Sequence, residues 1–381
     1  MRFLVLGAGA MGRAVAYDLA RTDGVDQVTL ADSDAKRARQ AKAFASSKLV
    51  RTANLDVTDT DAVVGAMEGQ DVAVSCVPYR FNFELSKAAI EAGVHMCDLG
   101  GNNDVVRKQL CLDAKARRAE VTIIPDCGLA PGMATVLAAD ALKRMDRVTE
   151  VHIRVGGLPV EPTGPLDYMI LFNPVGLVNE YKELPVVIRQ GKVQRAAPLD
   201  ELEEIEFPEP FGKLEAFNTS GGTSTLPQTL LGKVQELDYK TIRYPGHRDK
   251  VKCMMDLGLF DEEPLMMAGR EVVPREVTEA LLGERLPREG DDVVLLRVRV
   301  EGEVEGRERT LTYTLIDHCD PEVGLTAMQR TTAFPASIVA RMLASGEIDQ
   351  RGVVPQELVV PTRRFLEELE NRGINVDIKM M

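Results

Sequence analysis

The chain has 381 residues, 45% of them hydrophobic and 28% charged, and carries a formal net charge of −13. This length is more than one hydrophobic core ordinarily serves, so two domains are expected, with the composition of a soluble globular protein. The acidic balance repels phosphate backbones and argues against nucleic acid as a partner. No apolar run approaches the roughly 20 residues that a membrane helix needs.

The first third alternates short apolar runs with amphipathic stretches. Strands are predicted at Phe3-Leu6, Gln27-Ala31, Leu49-Thr52, Val72-Val77, Val94-Asp98 and Val121-Pro125. Helices are predicted between them at Met11-Arg21, Ala35-Ala45, Asp61-Met67, Phe81-Ala92 and Asn103-Ala119, with Asp59 as an N-cap and Gly93 as a stop. Strict alternation of this kind predicts an α/β Rossmann domain, a doubly wound parallel sheet with helices on both faces.

After Pro125 the texture changes. A helix is predicted at Met133-Lys143, then hairpins at Pro185-Pro198 around Gln190-Gly191 and at Val293-Val300 with Arg309-Ile316. These predict a second, α+β domain built on one antiparallel-rich sheet. The acidic run Asp200-Glu206 reads as a solvated loop or edge. Amphipathic helices follow at Ala336-Ala344 and Thr362-Arg372, with Gly346 and Gly373 placed to end them. The chain is expected to return to the first domain at its end. The division is therefore 1–125 plus 335–381 against 126–334.

The segment Gly7-Ala8-Gly9-Ala10-Met11-Gly12 joins the first strand to the first helix. A glycine-rich turn alone is weak evidence, but here a strand precedes it, a helix follows it, and Asp32 closes the next strand. Gly7 permits the turn, Gly9 lets backbone approach a pyrophosphate, and Gly12 lets helix and strand pack closely. The helix N-terminus, at Ala10 and Met11, offers unpaired N–H groups to phosphate. Asp32 is placed to accept hydrogen bonds from an adenosine 2′-hydroxyl and to repel a 2′-phosphate. NAD is thus favoured over NADP, with Lys36 and Arg37 nearby to weaken the preference. Asp56, after the third strand, is a candidate for the adenine edge, or else a turn former. Cys76-Val77-Pro78 ends the fourth strand, beside the switch point of the sheet.

The six cysteines form no CxxC pair, and no His/Cys grouping has zinc spacing, so no metal is expected. Met1-Arg2 leads directly into a short apolar run, which reads as no targeting signal, so a cytoplasmic location is expected.

The run Ile124-Pro125-Asp126-Cys127-Gly128-Leu129-Ala130-Pro131-Gly132 resembles the saccharopine dehydrogenase-like family. Two further segments agree, Glu215-Ala216-Phe217-Asn218-Thr219-Ser220-Gly221-Gly222 and Thr241-Ile242-Arg243-Tyr244-Pro245-Gly246-His247. Within that family the likeness is strongest to lysine 6-dehydrogenases. The resemblance implies an NAD-dependent oxidoreductase acting on a C–N bond, oxidising L-lysine at its ε-amine to 2-aminoadipate 6-semialdehyde. It also implies a small amine or amino-acid substrate and a homodimer. Saccharopine dehydrogenase, a related imine reductase and a non-catalytic NAD sensor remain open as alternatives.

Such chemistry needs a base for the amine, a cation for a substrate carboxylate and a counter-charge for an α-ammonium. Arg243 is the candidate for the carboxylate, with Arg154 and Arg189 available if more are needed. His247 is a candidate base or hydrogen-bonding group, against a packing role. Asp126 and Asp98, at the carboxyl ends of predicted parallel strands, are candidate carboxylates, each with a turn-forming alternative. Cys127 could have a lowered pKa but is read as lining the pocket, together with Gly128. Thr219, Ser220 and Tyr244 are candidates for the substrate's polar groups, and Tyr168 could supply a further hydroxyl.

Overall fold

The computed structural model describes all 381 residues, which divide into two compact units. Unit 1 comprises Met1–Lys143, Ser224–Leu226 and Gln329–Asn375, and unit 2 comprises Arg144–Thr223, Pro227–Met328 and Val376–Met381.

In unit 1 the chain runs β1 (Arg2–Leu6), α1 (Ala10–Leu19), β2 (Gln27–Asp32), α2 (Ala35–Ala45), β3 (Val50–Asn54), α3 (Thr60–Met67) and β4 (Val72–Ser75). It continues through α4 (Asn82–Ala92), β5 (His95–Asp98), α5 (Asn103–Leu110), α6 (Asp113–Arg118), β6 (Thr122–Ile124) and α7 (Met133–Arg144). Local signals set these bounds. The Asp34 carboxylate accepts from the N–H groups of Lys36 and Arg37 to start α2, Asp59 caps α3, and Gly93 ends α4 at φ 71°. The predicted helix over Asn103-Ala119 is instead two helices. Leu112 N–H bonds back to Gln109 O, a tight three-residue turn that breaks the ladder before α6.

Unit 2 contains β7 (Arg147–Pro159), α8 (Pro174–Lys182), β8 (Val186–Arg189), β9 (Lys192–Arg195), β10 (Glu203–Phe207) and β11 (Gly212–Asn218). After the short helix α9 (Leu226–Thr229) come β12 (Glu236–Arg243), α10 (His247–Asp256), β13 (Leu265–Met267), β14 (Arg270–Val272) and α11 (Pro274–Arg285). The long hairpin β15 (Asp292–Val304) and β16 (Arg307–His318) precedes α12 (Ala327–Ala344). The remaining elements are β17 (Gly352–Val353), α13 (Gln356–Val359), α14 (Thr362–Glu370) and β18 (Asp377–Met380).

The sheet of unit 1 has strand order β17-β6-β5-β4-β1-β2-β3, and every pairing is parallel. The expected doubly wound sheet is present, with its switch point between β1 and β4. The second sheet, in order β10-β11-β12-β7-β15-β16-β18 with β8 and β9 alongside β12, is mixed. Its β7–β12 pair is parallel and the rest antiparallel.

The expected boundaries shift at three places. The helix α7 falls within unit 1, so that unit extends past 125 to 143. The helix α12 runs through Pro335 rather than starting after it. A proline forfeits one N–H bond, and buried residues on both sides of it, from Ala333 to Leu343, hold the helix together. The last strand, β18, pairs with β16, so the terminal residues belong to unit 2.

Candidate functional site

At the end of β1 the chain turns through Gly7 at φ 95°. A Cβ there would sit 2.9 Å from Cys76 O and from Val77 Cγ1, so the end of β4 lies directly against this turn. A Cβ on Gly12 would lie 1.8 Å from Gly7 O, which only hydrogen permits. A Cβ on Gly9 would meet nothing within 4 Å, so open space lies above the start of α1. The first helical bond is Arg13 N–H to Gly9 O, and Gly9 supplies no side-chain cap. The N–H groups of Ala10, Met11 and Gly12 therefore lack helical acceptors. Uncapped, unobstructed and free of acidic residues in its first turn, this cradle fits a dinucleotide pyrophosphate.

Asp32 is buried at the tip of β2. Its Oδ2 accepts Ala8 N–H at 2.7 Å and its Oδ1 accepts Asp34 N–H at 2.8 Å, so it braces the glycine turn. A carboxylate has about four acceptor positions, which leaves capacity for a ribose hydroxyl. The Arg37 guanidinium, largely exposed, stands 3.7 Å from Oδ2. Asp56 is exposed, and its Oδ1 accepts from both the N–H and the hydroxyl of Thr58. That carboxylate closes a turn, the role weighed beside its candidacy for an adenine edge. Pro78 leads into the single turn Tyr79–Phe81.

The ends of β5 and β6 bring Asp98 and Asp126 together. Asp98 accepts from Gln109 Nε2 at 2.8 Å, Gly100 N–H at 2.8 Å and Asp126 N–H at 3.1 Å. Asp126 has φ 63°, accepts a hydrogen bond from the Ser224 hydroxyl at Oδ2 and from Gln356 Nε2 at its carbonyl, and leaves Oδ1 unbonded. Burial, then the neighbouring Asp98 charge, pushes the Asp126 carboxyl up to about 8. Burial also raises Asp98. Cys127 is 0% exposed, with its Sγ turned back on the carbonyls of Ile124 and Pro125, and burial pushes its thiol well up. It is a packed side chain, which corrects its reading as lining the pocket and removes a lowered pKa. Gly128 pairs through its backbone with Gly132, where a Cβ on Gly132 would strike Gly128 O.

In unit 2, Arg243 ends β12 and is 2% exposed. Its Nε donates to Tyr181 Oη at 3.1 Å and its Nη1 to Ile242 O at 2.9 Å, while its guanidinium lies 4.8 Å from the Tyr168 ring centre. Its Nη2 faces Glu180 Oε2 at 3.8 Å, beyond hydrogen-bonding distance. His247 is fully buried at the start of α10, with Nδ1 2.8 Å from Leu166 O and Nε2 2.9 Å from Tyr181 Oη. A carbonyl can only accept, so Nδ1 carries the proton and Nε2 accepts from Tyr181. Burial and then Arg243 lower His247 to about 3. The imidazole is thus a neutral prop for Tyr181 and Arg243, which corrects its candidacy as a base titrating near neutrality.

Thr219 and Ser220 are buried, the first bonded to Thr241 Oγ1 at 2.6 Å and the second to Asn179 O at 3.3 Å. Tyr244 donates to the carbonyls of Pro159 and Val160 and so locks a loop, which corrects its placement among substrate groups. Glu180 and Tyr181, on α8, were missed. No motif marks them, because Tyr181 lies 62 residues before the arginine it holds.

The two other arginines are engaged elsewhere. Arg154 binds Glu203 and Asp238, and Arg189 binds Glu201, Glu236 and Asp238. Neither is available as a further anchor. Glu203, expected in a solvated run, also meets Lys240 at 2.7 Å. Beside this network Glu150, His152 and Glu301 bring their ligand-type atoms within 4.8 Å of one another, with Asp238 on His152 Nδ1 at 2.9 Å.

Comparison with known proteins accords with this arrangement. Residues 3–124 match the model of the saccharopine dehydrogenase NADP binding domain, and residues 128–374 match that of the saccharopine dehydrogenase C-terminal domain. Carboxyaminopropylagmatine dehydrogenase of Synechocystis sp. is 24% identical, over 98% of this chain and 96% of its own. The L-glutamate-forming saccharopine dehydrogenase of Saccharomyces cerevisiae is 22% identical, over 81% of this chain and 70% of its own. Among solved structures, the apo yeast saccharopine dehydrogenase has the same fold, with a TM-score of 0.80 at 20% identity over 100% of this chain and 99% of that one. Homospermidine synthase of Legionella pneumophila, solved with NAD, has a TM-score of 0.69 at 12% identity, covering 100% of this chain and 91% of that one. With both domain models matched in sequence order, the chain belongs to the saccharopine dehydrogenase family of pyridine-nucleotide-dependent oxidoreductases.

Proposed function

We propose that this protein oxidises a primary amine of an amino acid, with L-lysine as substrate, its ε-carbon as hydride donor and NAD as acceptor. The products are 2-aminoadipate 6-semialdehyde, ammonium, a proton and reduced nicotinamide, with water consumed as the imine hydrolyses. The observation that carries this reading is the state of the arginines. Of Arg154, Arg189 and Arg243, only Arg243 is not already hydrogen-bonded to carboxylates. One anchor suits a substrate with one carboxylate.

Gly7, Gly9, Gly12 and Asp32 would hold the dinucleotide, which when bound supplies the two-electron acceptor. Asp32 favours the 2′-hydroxyl of NAD, and Arg37 tempers that preference. The amine must be deprotonated before hydride can leave its carbon. Asp126, pushed up to about 8 and bonded to the Ser224 hydroxyl, changes protonation in the range that such a transfer needs. His247 and Tyr181 orient Arg243 rather than exchange protons with substrate.

A second reading, oxidation of a secondary amine or reduction of the matching imine, draws support from the relatives, which are named for saccharopine and carboxyaminopropylagmatine. Purified protein with NAD and, separately, L-lysine or saccharopine distinguishes the two by the absorbance of reduced nicotinamide. Turnover with saccharopine alone overturns the lysine assignment. Tight NAD binding with no turnover on any amine indicates a dinucleotide sensor.

A further inference from the structure

Glu180 is half-buried on α8, and its carboxylate accepts no hydrogen bond; the nearest cation is Arg243, 3.8 Å away. Arg243 in turn spends Nε on Tyr181 and one Nη1 hydrogen on Ile242 O, leaving the Nη2 edge turned toward Glu180. A partly desolvated carboxylate and guanidinium side by side would ordinarily close into a hydrogen-bonded fork. Here Arg243 is held back from closure. The Tyr168 ring lies 4.8 Å from the guanidinium carbon, and Tyr181 is fixed by His247, itself fixed by Leu166 O. Glu180 is fixed from its other side, where its carbonyl accepts Ser220 N–H at 3.0 Å.

We propose that Glu180 and Arg243 together receive an α-amino-acid headgroup, Arg243 taking the carboxylate through its Nη edge and Glu180 taking the α-ammonium. A zwitterion presents one charge of each sign on adjacent groups, in the order that this pair requires. A simple carboxylic acid would satisfy Arg243 but place its charge beside Glu180. A simple amine would do the reverse. The inference rests on reading the chain as an oxidoreductase of amino-acid amines, and it specifies which end of the substrate unit 2 recognises. Burial places the Glu180 carboxyl at about 7, so the ammonium-binding charge is complete only above neutrality. The groups facing it are Arg243, Tyr168, Tyr181 and Tyr239, and the tyrosines stay neutral there because burial raises all three.

L-Norleucine and hexanoate test this without any hydride transfer, since neither carries the reacting amine. Calorimetry on the full-length protein with NAD bound should show norleucine binding about tenfold or more tighter than hexanoate, the scale of one charged hydrogen bond. Glu180→Gln should bring the ratio near one while hexanoate binds as well as before or better. Glu180→Asp should retain part of the preference. A wild-type ratio near one overturns the proposal, as does a Gln variant with the ratio unchanged. A Gln variant that still binds NAD but neither probe also overturns it. Turnover with L-lysine but no probe discrimination removes only the headgroup assignment. Discrimination without turnover on any amine removes only the reaction.

Discussion

The backbone N–H of Asp126 donates to the carboxylate of Asp98 at 3.1 Å, and neither side chain is more than 1% exposed. Two carboxylates so close in a dry setting do not both ionise readily, and Asp126 is the one pushed up to about 8. A group whose folded pKa lies above its unfolded value stabilises the fold fully at low pH and loses that contribution as pH rises toward the folded pKa. Asp126→Asn keeps an acceptor for Ser224 and tolerates the positive φ. Its melting temperature relative to wild type should therefore climb from pH 5 to pH 9, by about 2–4 °C per kcal/mol recovered. A difference that stays flat with pH, read by calorimetry, contradicts the buried-acid assignment.

His247 should contribute no titration near neutral pH, because it is lowered to about 3. The pH dependence of amino-acid binding should have its midpoint near 7, set by Glu180. It should survive in His247→Gln and vanish in Glu180→Gln. Loss of Tyr181 or His247 should loosen Arg243 and raise KM more than it lowers kcat. A fall in kcat at unchanged KM in His247→Gln would instead assign the imidazole to proton transfer.

The glycines of the nucleotide loop should separate by mechanism. Gly9→Ala meets no neighbour, so its thermal stability should match wild type while dinucleotide affinity falls at least about tenfold as the methyl enters the pyrophosphate space. Gly12→Ala drives a Cβ to 1.8 Å from Gly7 O and should lower stability together with binding. Parallel melting curves and nucleotide titrations on the two variants check this.

Asp32→Ser removes the carboxylate proposed to meet the ribose and leaves Asp34 as the remaining acidic neighbour of Arg37. NAD affinity should fall more than NADP affinity, shifting their ratio toward NADP. An unchanged ratio would remove Asp32 from ribose recognition. Some common loss is expected for both, since the same carboxylate braces Ala8.

Asp238 on β12 receives His152 and Arg154 from β7 and Arg189 from β8, and these groups hold its carboxyl far below the usual carboxylate range. A depressed pKa stabilises the fold above the unfolded pKa near 4 and loses that contribution as pH falls through the folded value. Asp238→Asn should cost about 3–5 kcal/mol at pH 7, the scale for a broken buried ion pair, with a smaller difference in acid. Urea unfolding at two pH values measures it.

Much of unit 1 was legible because its signals are local. The order of apolar runs and capping residues predicted the strands and helices, and Gly7, Gly9 and Gly12 act on backbone within one turn of each other. The break at Leu112, the continuation of α12 through Pro335 and the pairing of β18 with β16 were not legible. Each depends on which distant surface buries the segment. Residue types named from motifs also misled where neighbours decided their state. Tyr244 spends its hydroxyl on two carbonyls, and Cys127 turns its thiol into the core.

By itself the sequence determined the glycine turn, its acidic partner Asp32 and the presence of Arg243 just before Tyr244-Pro245-Gly246-His247, since short-range spacing sets backbone geometry. Only the tertiary structure decided that Arg154 and Arg189 are already paired, that His247 is neutral and that Glu180 stands across from Arg243. Charge state and pairing depend on burial and on side chains far apart along the chain. Those are brought together only when α8, β7 and β12 pack.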